Sequence, residues 1–203
     1  EFLLACPQQG KPEEEADRYL SDEITSIEAA LQGAMDIVAE QVSEDASARG
    51  WIREYSRKNG ILVVAAKDKN VESPYRMYYE YQEAVNKIPP HRILAINRGE
   101  REEILKVSVL LETDKIIDYL CRRYVKPGVT AEYLTQAIQD SYSRLIKPSI
   151  ERDLRNELSE KAEEQAITVF AKNLRSLLLQ PPVKGQIILG LDPAYRTGCK
   201  WTI

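Results

Sequence analysis

Gly185-Gln186-Ile187-Ile188-Leu189-Gly190-Leu191-Asp192-Pro193-Ala194-Tyr195-Arg196-Thr197-Gly198-Cys199-Lys200-Trp201 is the stretch on which the reading of this chain turns. A short apolar run ends in Gly-Leu-Asp-Pro, passes through a turn holding Arg196 and Gly198, and becomes apolar again. Ile187 to Leu191 has the length and β-branching of a buried strand. Asp192 falls at its end, and Pro193 lacks the N–H that a continuing ladder needs. A carboxylate at a strand end suits a hard divalent cation, which takes oxygen ligands. A single apolar strand is not stable without a sheet, and the sequence in hand ends at Ile203. Residues 183–203 are therefore expected to be the first strand of a domain that continues further. Metal-dependent nucleases need several converging carboxylates, so Asp192 by itself is expected to be inactive.

Upstream, Ile150, Leu154, Leu158, Ala162, Ala166, Val169, Phe170, Leu174, Leu177 and Leu178 recur at threes and fours. That spacing predicts one long amphipathic helix over about 149–179. Its other face is rich in Glu, Arg and Lys, with Glu151–Arg155 and Glu157–Lys161 at a supportive i, i+4 spacing. Pro181-Pro182 stops it and Gly185 provides a hinge. Lys147-Pro148 is expected to break or kink the chain just ahead of it. Such a helix reads as a strut.

Further back, residues 1–182 read as one helical region. Residues 1 to 12 form a lead-in punctuated by Pro7, Gly10 and Pro12, and Glu13-Glu14-Glu15 opens a short helix. Ile24, Ile27, Leu31, Ala34, Met35, Val38 and Val42 follow a 3.6 period. Ser43 is expected to cap the next helix, which runs through Trp51, Ile52 and Tyr55 to a C-cap at Asn59-Gly60. Residues 60–111 form a small mixed segment, with short strands at Ile61–Ala66 and Ile104–Leu111 and a helix through Leu94, Ala95 and Ile96. Within it, Tyr75, Tyr78, Tyr79 and Tyr81 invite stacking on nucleic-acid bases; the plainer account is rings packed on a helical core. Thr113 and Thr130 open two more helices. The fold class is mainly α: a multi-helix core, a long strut helix and a few short strands.

A net charge of −4 over 203 residues argues against a uniformly basic nucleic-acid surface but leaves room for a local patch. Arg92, Arg98 and Arg101 are the candidates, with Arg196 in the C-terminal turn. Glu100, Glu102 and Glu103 are interleaved, so a salt-bridged structural cluster is the alternative. Arg122, Arg123, Lys126, Arg144 and Lys147 suit helix C-termini, where the dipole favours cations. Arg152 and Arg155 read as a solvated face. Three scattered cysteines make no metal framework and point to a reducing compartment. One histidine, His91, excludes an HExxH site. Neither GxxxxGK(S/T) nor GxGxxG occurs, so no cofactor and no metal are expected. No apolar run approaches the roughly 20 residues that span a bilayer, and Glu1-Phe2-Leu3-Leu4-Ala5 has no basic n-region. The expectation is a cytoplasmic segment of something longer, with no membrane and no small-molecule substrate as partner.

Four stretches together resemble one known family. They are Ala29-Ala30-Leu31-Gln32-Gly33-Ala34-Met35-Asp36-Ile37-Val38-Ala39-Glu40, Lys87-Ile88-Pro89-Pro90-His91-Arg92-Ile93-Leu94-Ala95-Ile96-Asn97-Arg98-Gly99-Glu100, Ile146-Lys147-Pro148-Ser149-Ile150-Glu151-Arg152, and Gly190-Leu191-Asp192-Pro193-Ala194-Tyr195-Arg196-Thr197-Gly198. In order and spacing they resemble the middle of the Tex family of bacterial transcription accessory proteins, relatives of a eukaryotic elongation factor. The resemblance implies a multi-domain nucleic-acid-binding protein, with a helix-turn-helix region, central helices, a YqgF domain of RNase H-like fold, helix-hairpin-helix repeats and a C-terminal OB-fold RNA-binding domain. It implies that residues 1–182 are the central helices and that residues 183–203 begin the truncated YqgF domain. Asp192 matches the first acid of RuvC-like resolvases and is carried over only as a nominal site. Where the common family form has Gly-Phe after the proline, this chain has Ala194-Tyr195.

The leading expectation is a non-enzymatic scaffold that positions flanking RNA- or DNA-binding domains, itself binding nucleic acid weakly. The alternatives are a fragment of an RNase H-like nuclease or resolvase, and a protein-interaction module for the transcription machinery.

Overall fold

The computed structural model describes residues 1–181, 184–194, 196 and 198–203. They form two compact units, Glu1–Ala166 and Ile167–Ile203. In chain order the elements are α1 (Phe2–Ala5), α2 (Pro12–Ala16), α3 (Ile27–Glu44), α4 (Ala46–Asn59), β1 (Ile61–Ala66), β2 (Glu80–Ala84), α5 (Pro90–Arg101), β3 (Leu105–Leu110), α6 (Thr113–Tyr124), α7 (Ala131–Asp140), α8 (Lys147–Leu178), β4 (Gly190–Ala194) and β5 (Gly198–Thr202). The fold is mainly α, as its apolar periodicity predicts.

The N-terminal segment is part of the core, not a lead-in. Leu3 and Cys6 are buried. The Thr130 hydroxyl donates to the Leu3 carbonyl at 3.0 Å, and the Val129 N–H donates to the Pro7 carbonyl at 2.9 Å. Gly128 sits where the two backbones touch: a Cβ there would lie 2.6 Å from the Cys6 oxygen and 2.7 Å from that of Pro7. α3 begins after Ser26, whose hydroxyl accepts the Ala29 N–H at 3.1 Å. It runs on to Glu44, so Ser43 is helical and cannot cap α4; its hydroxyl donates to the Glu40 carbonyl. Asp45 has the extended backbone a cap requires and takes that role for α4. Gly60 is the C-cap of α4, as the sequence predicts: its N–H donates to the Ser56 carbonyl at 2.8 Å, and with φ −66° and extended backbone it leads directly into β1.

The middle segment is a three-stranded antiparallel sheet in the order β2-β1-β3. Leu62 and Val64 of β1 stand opposite Val109 and Val107 of β3, and all four are buried, with Leu105. That face carries α5, which buries Ile93, Ile96 and Gly99. Gly99 allows close approach: a Cβ there would come within 2.6 Å of Leu105 Cδ1 and 3.1 Å of Tyr75 Cγ. Tyr75, Tyr78 and Tyr79 are buried, as the plainer reading expects. They belong to a 3₁₀ turn and the approach to β2, not to a helical core.

Lys147-Pro148 does not break the helix. Ser141–Ile146 form a π-helical turn that joins α7 to α8, with the Lys147 N–H donating five residues back to the Tyr142 carbonyl. The looser turn falls directly before Pro148, whose ring cannot take an ordinary i−4 bond. Leu134, Ile138, Tyr142, Ile146, Ile150 and Leu154 are fully buried, one every four residues across the junction.

In the unit Ile167–Ile203 the strand falls later than predicted. The β4–β5 hairpin pairs Asp192 with Lys200 and Pro193 with Cys199, while 186–189 lie outside any strand and Ile187 is 91% exposed. A two-stranded ribbon has an open edge on each strand, so Pro193 can sit in it with no donor lost from a central ladder. The predicted stop at Pro182, the boundary at 182/183 and the turn aromatic Tyr195 lie outside the described residues.

Candidate nucleic-acid interface

The geometry of the first unit is set by what grips the beginning of α8. On one side, α4 presents Arg49, Arg53 and Arg57 at successive four-residue steps. Arg49 Nη2 donates to Ser149 Oγ at 2.6 Å, Arg53 Nη2 to Asp153 Oδ2 at 3.0 Å, and Arg57 Nη2 to Glu157 Oε2 at 2.8 Å. Partners that advance together along both helices require α4 and α8 to run parallel. On the other side α5 runs antiparallel: Asn97 Nδ2 donates to Ser159 Oγ at 2.7 Å, and Arg155 grips the Glu100 carboxylate with both guanidinium nitrogens. A third contact comes from the sheet. The outward N–H of Val109 donates to Glu151 Oε1 at 2.8 Å, so one donor on the open edge of β3 is capped.

These contacts account for two of the motifs. In Asn97-Arg98-Gly99-Glu100, the first and last residues hold α8 and the glycine fits the sheet. In Ser149-Ile150-Glu151, the outer residues hold α4 and β3 while Ile150 is buried. Glu157–Lys161 forms the expected helix pair at 2.6 Å. Glu151–Arg155 does not, because each side chain has a partner on another element. Arg155 is accordingly no solvated residue: its side chain is 26% exposed.

Between α5 and the start of α8 lies an open polar cleft of about 700 Å³. Asn97, Glu100, Arg101, Glu151, Arg152 and Arg155 are among its lining residues. With Arg155 committed to Glu100, and Glu151 to the backbone of β3, Arg101 and Arg152 are the lining guanidiniums without an ion-pair partner among the described residues. Such groups meet phosphate oxygens by charge-assisted, bidentate hydrogen bonds. Glu163, also on the rim, works against them.

The structure separates the predicted arginines. Arg92 is half-buried at the start of α5. Its Nη1 donates to Tyr81 Oη at 3.0 Å and Glu83 Oε2 at 3.2 Å, and its guanidinium carbon lies 5.5 Å from the Tyr81 ring centroid. Tyr81 in turn donates to Glu83. Arg92 is thus held in a structural cluster whose acid is Glu83, not the interleaved acids of α5. Arg98 and Arg101 are exposed in the last turn of α5. Arg196 and Asp192 belong to the other unit, where Asp192 is exposed on β4 opposite Lys200. Among the described residues no three His, Cys, Asp or Glu side chains converge in a way that would hold a metal ion.

Pattern reading misses one group altogether. Asp45 caps α4 through the Ser47 and Ala48 N–H groups at 2.8 and 2.9 Å. Its second oxygen accepts from Tyr124 Oη at 2.6 Å and Arg123 Nη2 at 2.9 Å. The Tyr124 hydroxyl first, then the Ala48 N–H, hold its carboxyl far below the usual carboxylate range. Arg123 is therefore more than a helix-dipole cation: it ties α6 to the α3–α4 junction. The Ser/Asp-rich run at 43–47 was the available signal.

No helix among the described residues is long and apolar enough to cross a membrane. Comparison with known proteins gives a consistent placement. Residues 7–170 match the Tex central region-like family. The uncharacterized protein YdcI of Bacillus subtilis is 48% identical over 210 residues, which cover 100% of this chain and 29% of YdcI. Transcriptional accessory protein Tex of Neisseria gonorrhoeae is 32% identical over 211 residues, 99% of this chain and 28% of that protein. S1 RNA-binding domain-containing protein 1 of Homo sapiens is 32% identical over 190 residues, 84% of this chain and 19% of that protein. The chain spans under a third of the length of each of these relatives. The motifs that brace α8 lie within the matched span, and on that match the chain belongs to the Tex family, as its central region.

Proposed function

We propose that this chain is a non-enzymatic scaffold of a cytoplasmic transcription accessory factor, holding flanking RNA- or DNA-binding domains and touching nucleic acid only weakly itself. The observation that carries this reading is the use of two of the family motifs: they brace the first half of α8 instead of converging on a reactive group. The names of the relatives, one a transcriptional accessory protein and one containing an S1 RNA-binding domain, support the class. The net charge of −4 and the mixed signs in the α5–α8 cleft support weak, sequence-independent contact.

The test is a salt titration of this chain with single-stranded and duplex nucleic acid. Binding should be weak, indifferent to sequence and lost towards physiological salt, and Arg101→Glu with Arg152→Glu should abolish it. Tight, sequence-selective binding at physiological ionic strength overturns the reading. Asp192→Asn should leave folding and binding unchanged. Divalent-dependent cleavage of a nucleic acid that disappears in Asp192→Asn would establish the nuclease alternative. A protein-interaction role has one specific observation in its favour: Phe170, Leu174 and Leu177 line one side of α8 and are 66, 40 and 62% exposed.

A further inference from the structure

Ala29–Glu40, the first of the family-like stretches, takes no part in bracing α8. It lies within α3, and one side of it lines an apolar groove of about 340 Å³. Ala30, Gly33, Ala34 and Ile37 belong to that lining, at the i, i+3, i+4, i+7 spacing of a single helix side. Phe2 and Leu4 of α1, with Tyr19 from the 3₁₀ turn after α2, add to it. Tyr19 and Ile37 are 64 and 58% exposed. Gly33 is the unexplained residue. Glycine is a poor choice inside a helix, and packing within the chain does not account for it: a Cβ there would meet nothing within 4 Å. The room it leaves is unused among the described residues.

The groove lies in the acidic part of the chain. Residues 1–44 hold eleven Asp and Glu against two Lys and Arg, while the chain as a whole carries only −4. Glu1 and Glu15 line the groove. Glu23 adjoins the lining residue Ile24, and Glu40 lies one turn beyond Ile37. The cations on these elements, and Arg144 beside α3, are engaged. Lys11 pairs with Glu14 at 3.0 Å, Arg18 with Glu15 at 2.8 Å, and Arg144 with Asp140 at 2.6 Å, its guanidinium 3.8 Å from Asp36.

We propose that this groove docks a basic amphipathic helix of a partner protein. The apolar side of such a helix covers Ile37 and Tyr19, and the small residues at 30, 33 and 34 let its backbone come close to α3. Lys and Arg at the edges of that side meet the surrounding acids, whose field also speeds encounter. A helix suits the groove better than a strand does. The walls are helical and their backbone N–H groups are bonded within the helix, so an extended peptide finds no ladder to join. The acids repel phosphate, which disfavours nucleic acid and anionic lipid as occupants. The lining from Ala30 to Gln41 runs about 16 Å along α3, enough for three turns of a partner. This role does not depend on the nucleic-acid reading, and its residues lie outside the α5–α8 cleft and the exposed stripe of α8.

The probe is a fluorescent peptide of about 18 residues with leucine at i, i+3, i+4, i+7 positions and lysine elsewhere. It should bind this chain one to one, with an affinity that falls as salt rises. The same residues in scrambled order have no apolar side and should bind about 10-fold more weakly or worse; a glutamate-for-lysine version should not bind. Gly33→Phe should weaken binding about 10-fold or more by filling the groove, and should not lower the unfolding midpoint, because glycine is the weaker helix former. Gly33→Ala leaves the room open and should bind normally. Glu23→Lys with Glu40→Lys should weaken binding and flatten its salt dependence. Undiminished binding in Gly33→Phe, or equal binding of the scrambled peptide, reduces the contact to charge attraction alone and overturns the docking site. So does a leucine–lysine helix that fails to bind. If the chain's mass in sedimentation equilibrium doubles with concentration and Gly33→Phe restores the monomer, the groove belongs to a second copy and the partner helix falls.

Discussion

The two halves of α8 carry the same pattern and meet opposite fates. In the first, Ile150, Leu154 and Ala162 are 0, 2 and 1% exposed, and side chains of α4 and α5 and a backbone N–H of β3 bond to it. In the second, Ile167, Phe170, Leu174, Leu177 and Leu178 are between 40 and 73% exposed. Periodicity says which side of a helix wants cover; it does not say whether cover is present. The protein-interaction alternative proposed above draws on this exposed stripe, which the contrast confines to a few turns of one helix.

The contrast can be broken most sharply by truncating equivalent leucines. Leu154→Ala should cost about 2–5 kcal/mol of unfolding free energy, the range for a cavity in a packed core. Leu174→Ala should cost under about 0.5 kcal/mol, as at a surface site. Equal losses in denaturant titrations would show that the second half is as well packed as the first. Next in size is the junction that seats α4 beside α8. Asp45→Ala should cost about 1–2 kcal/mol through the lost cap, whereas Asp45→Asn keeps a capping oxygen. The fold favours the charged carboxylate, so its contribution is whole above the unfolded value of about 4 and fades as the pH falls below it. Stability measured from pH 6 down to pH 2 should accordingly fall less steeply in Asp45→Asn than in the unaltered chain. Arg57→Ala should cost about 0–1 kcal/mol, because the rung is partly solvated; a larger loss would mean the rungs act as a unit. Smallest of all, Phe170→Ser with Leu177→Ser should leave the unfolding midpoint in place while reducing the binding of a hydrophobic dye.

The mainly helical class, β1, β3, α5 and the span of α8 were all legible, because period and breaker residues are local signals. β2 was not: Glu80-Tyr81-Gln82-Glu83-Ala84 is neither apolar nor bounded by clear turns, and only its pairing with β1 makes it a strand. Capping at Ser43 was misplaced by two residues, since Ser43 and Asp45 are both good caps and only the end of α3 decides between them. The C-terminal strand was placed too early because β-branching weighed more than the hairpin turn. For the candidate sites, spacing alone could propose Arg92, Arg98 and Arg101 as one patch. It could not show that Arg92 would turn to Glu83 on a strand nine residues earlier, or that Arg152 would join Arg101 from another helix. The arginines of α4 had visible four-residue spacing, but their partners lie on a helix a hundred residues away.

The π-turn between α7 and α8 imposes a constraint on chain length. Buried residues recur every four positions from Leu134 to Leu154, and on a 3.6-residue helix each such step overshoots a full turn by about 40°. A wider turn over Ser141–Ile146 takes back part of that drift. Inserting one more residue there, of whatever type, would exceed the single extra residue that the wide turn absorbs and rotate everything beyond it by about 100°. Ser149, Asp153 and Glu157 would leave their arginines together, as teeth slip on a gear. Insertions in that hexapeptide should therefore be tolerated far less than substitutions at its exposed positions, Ser143 and Arg144.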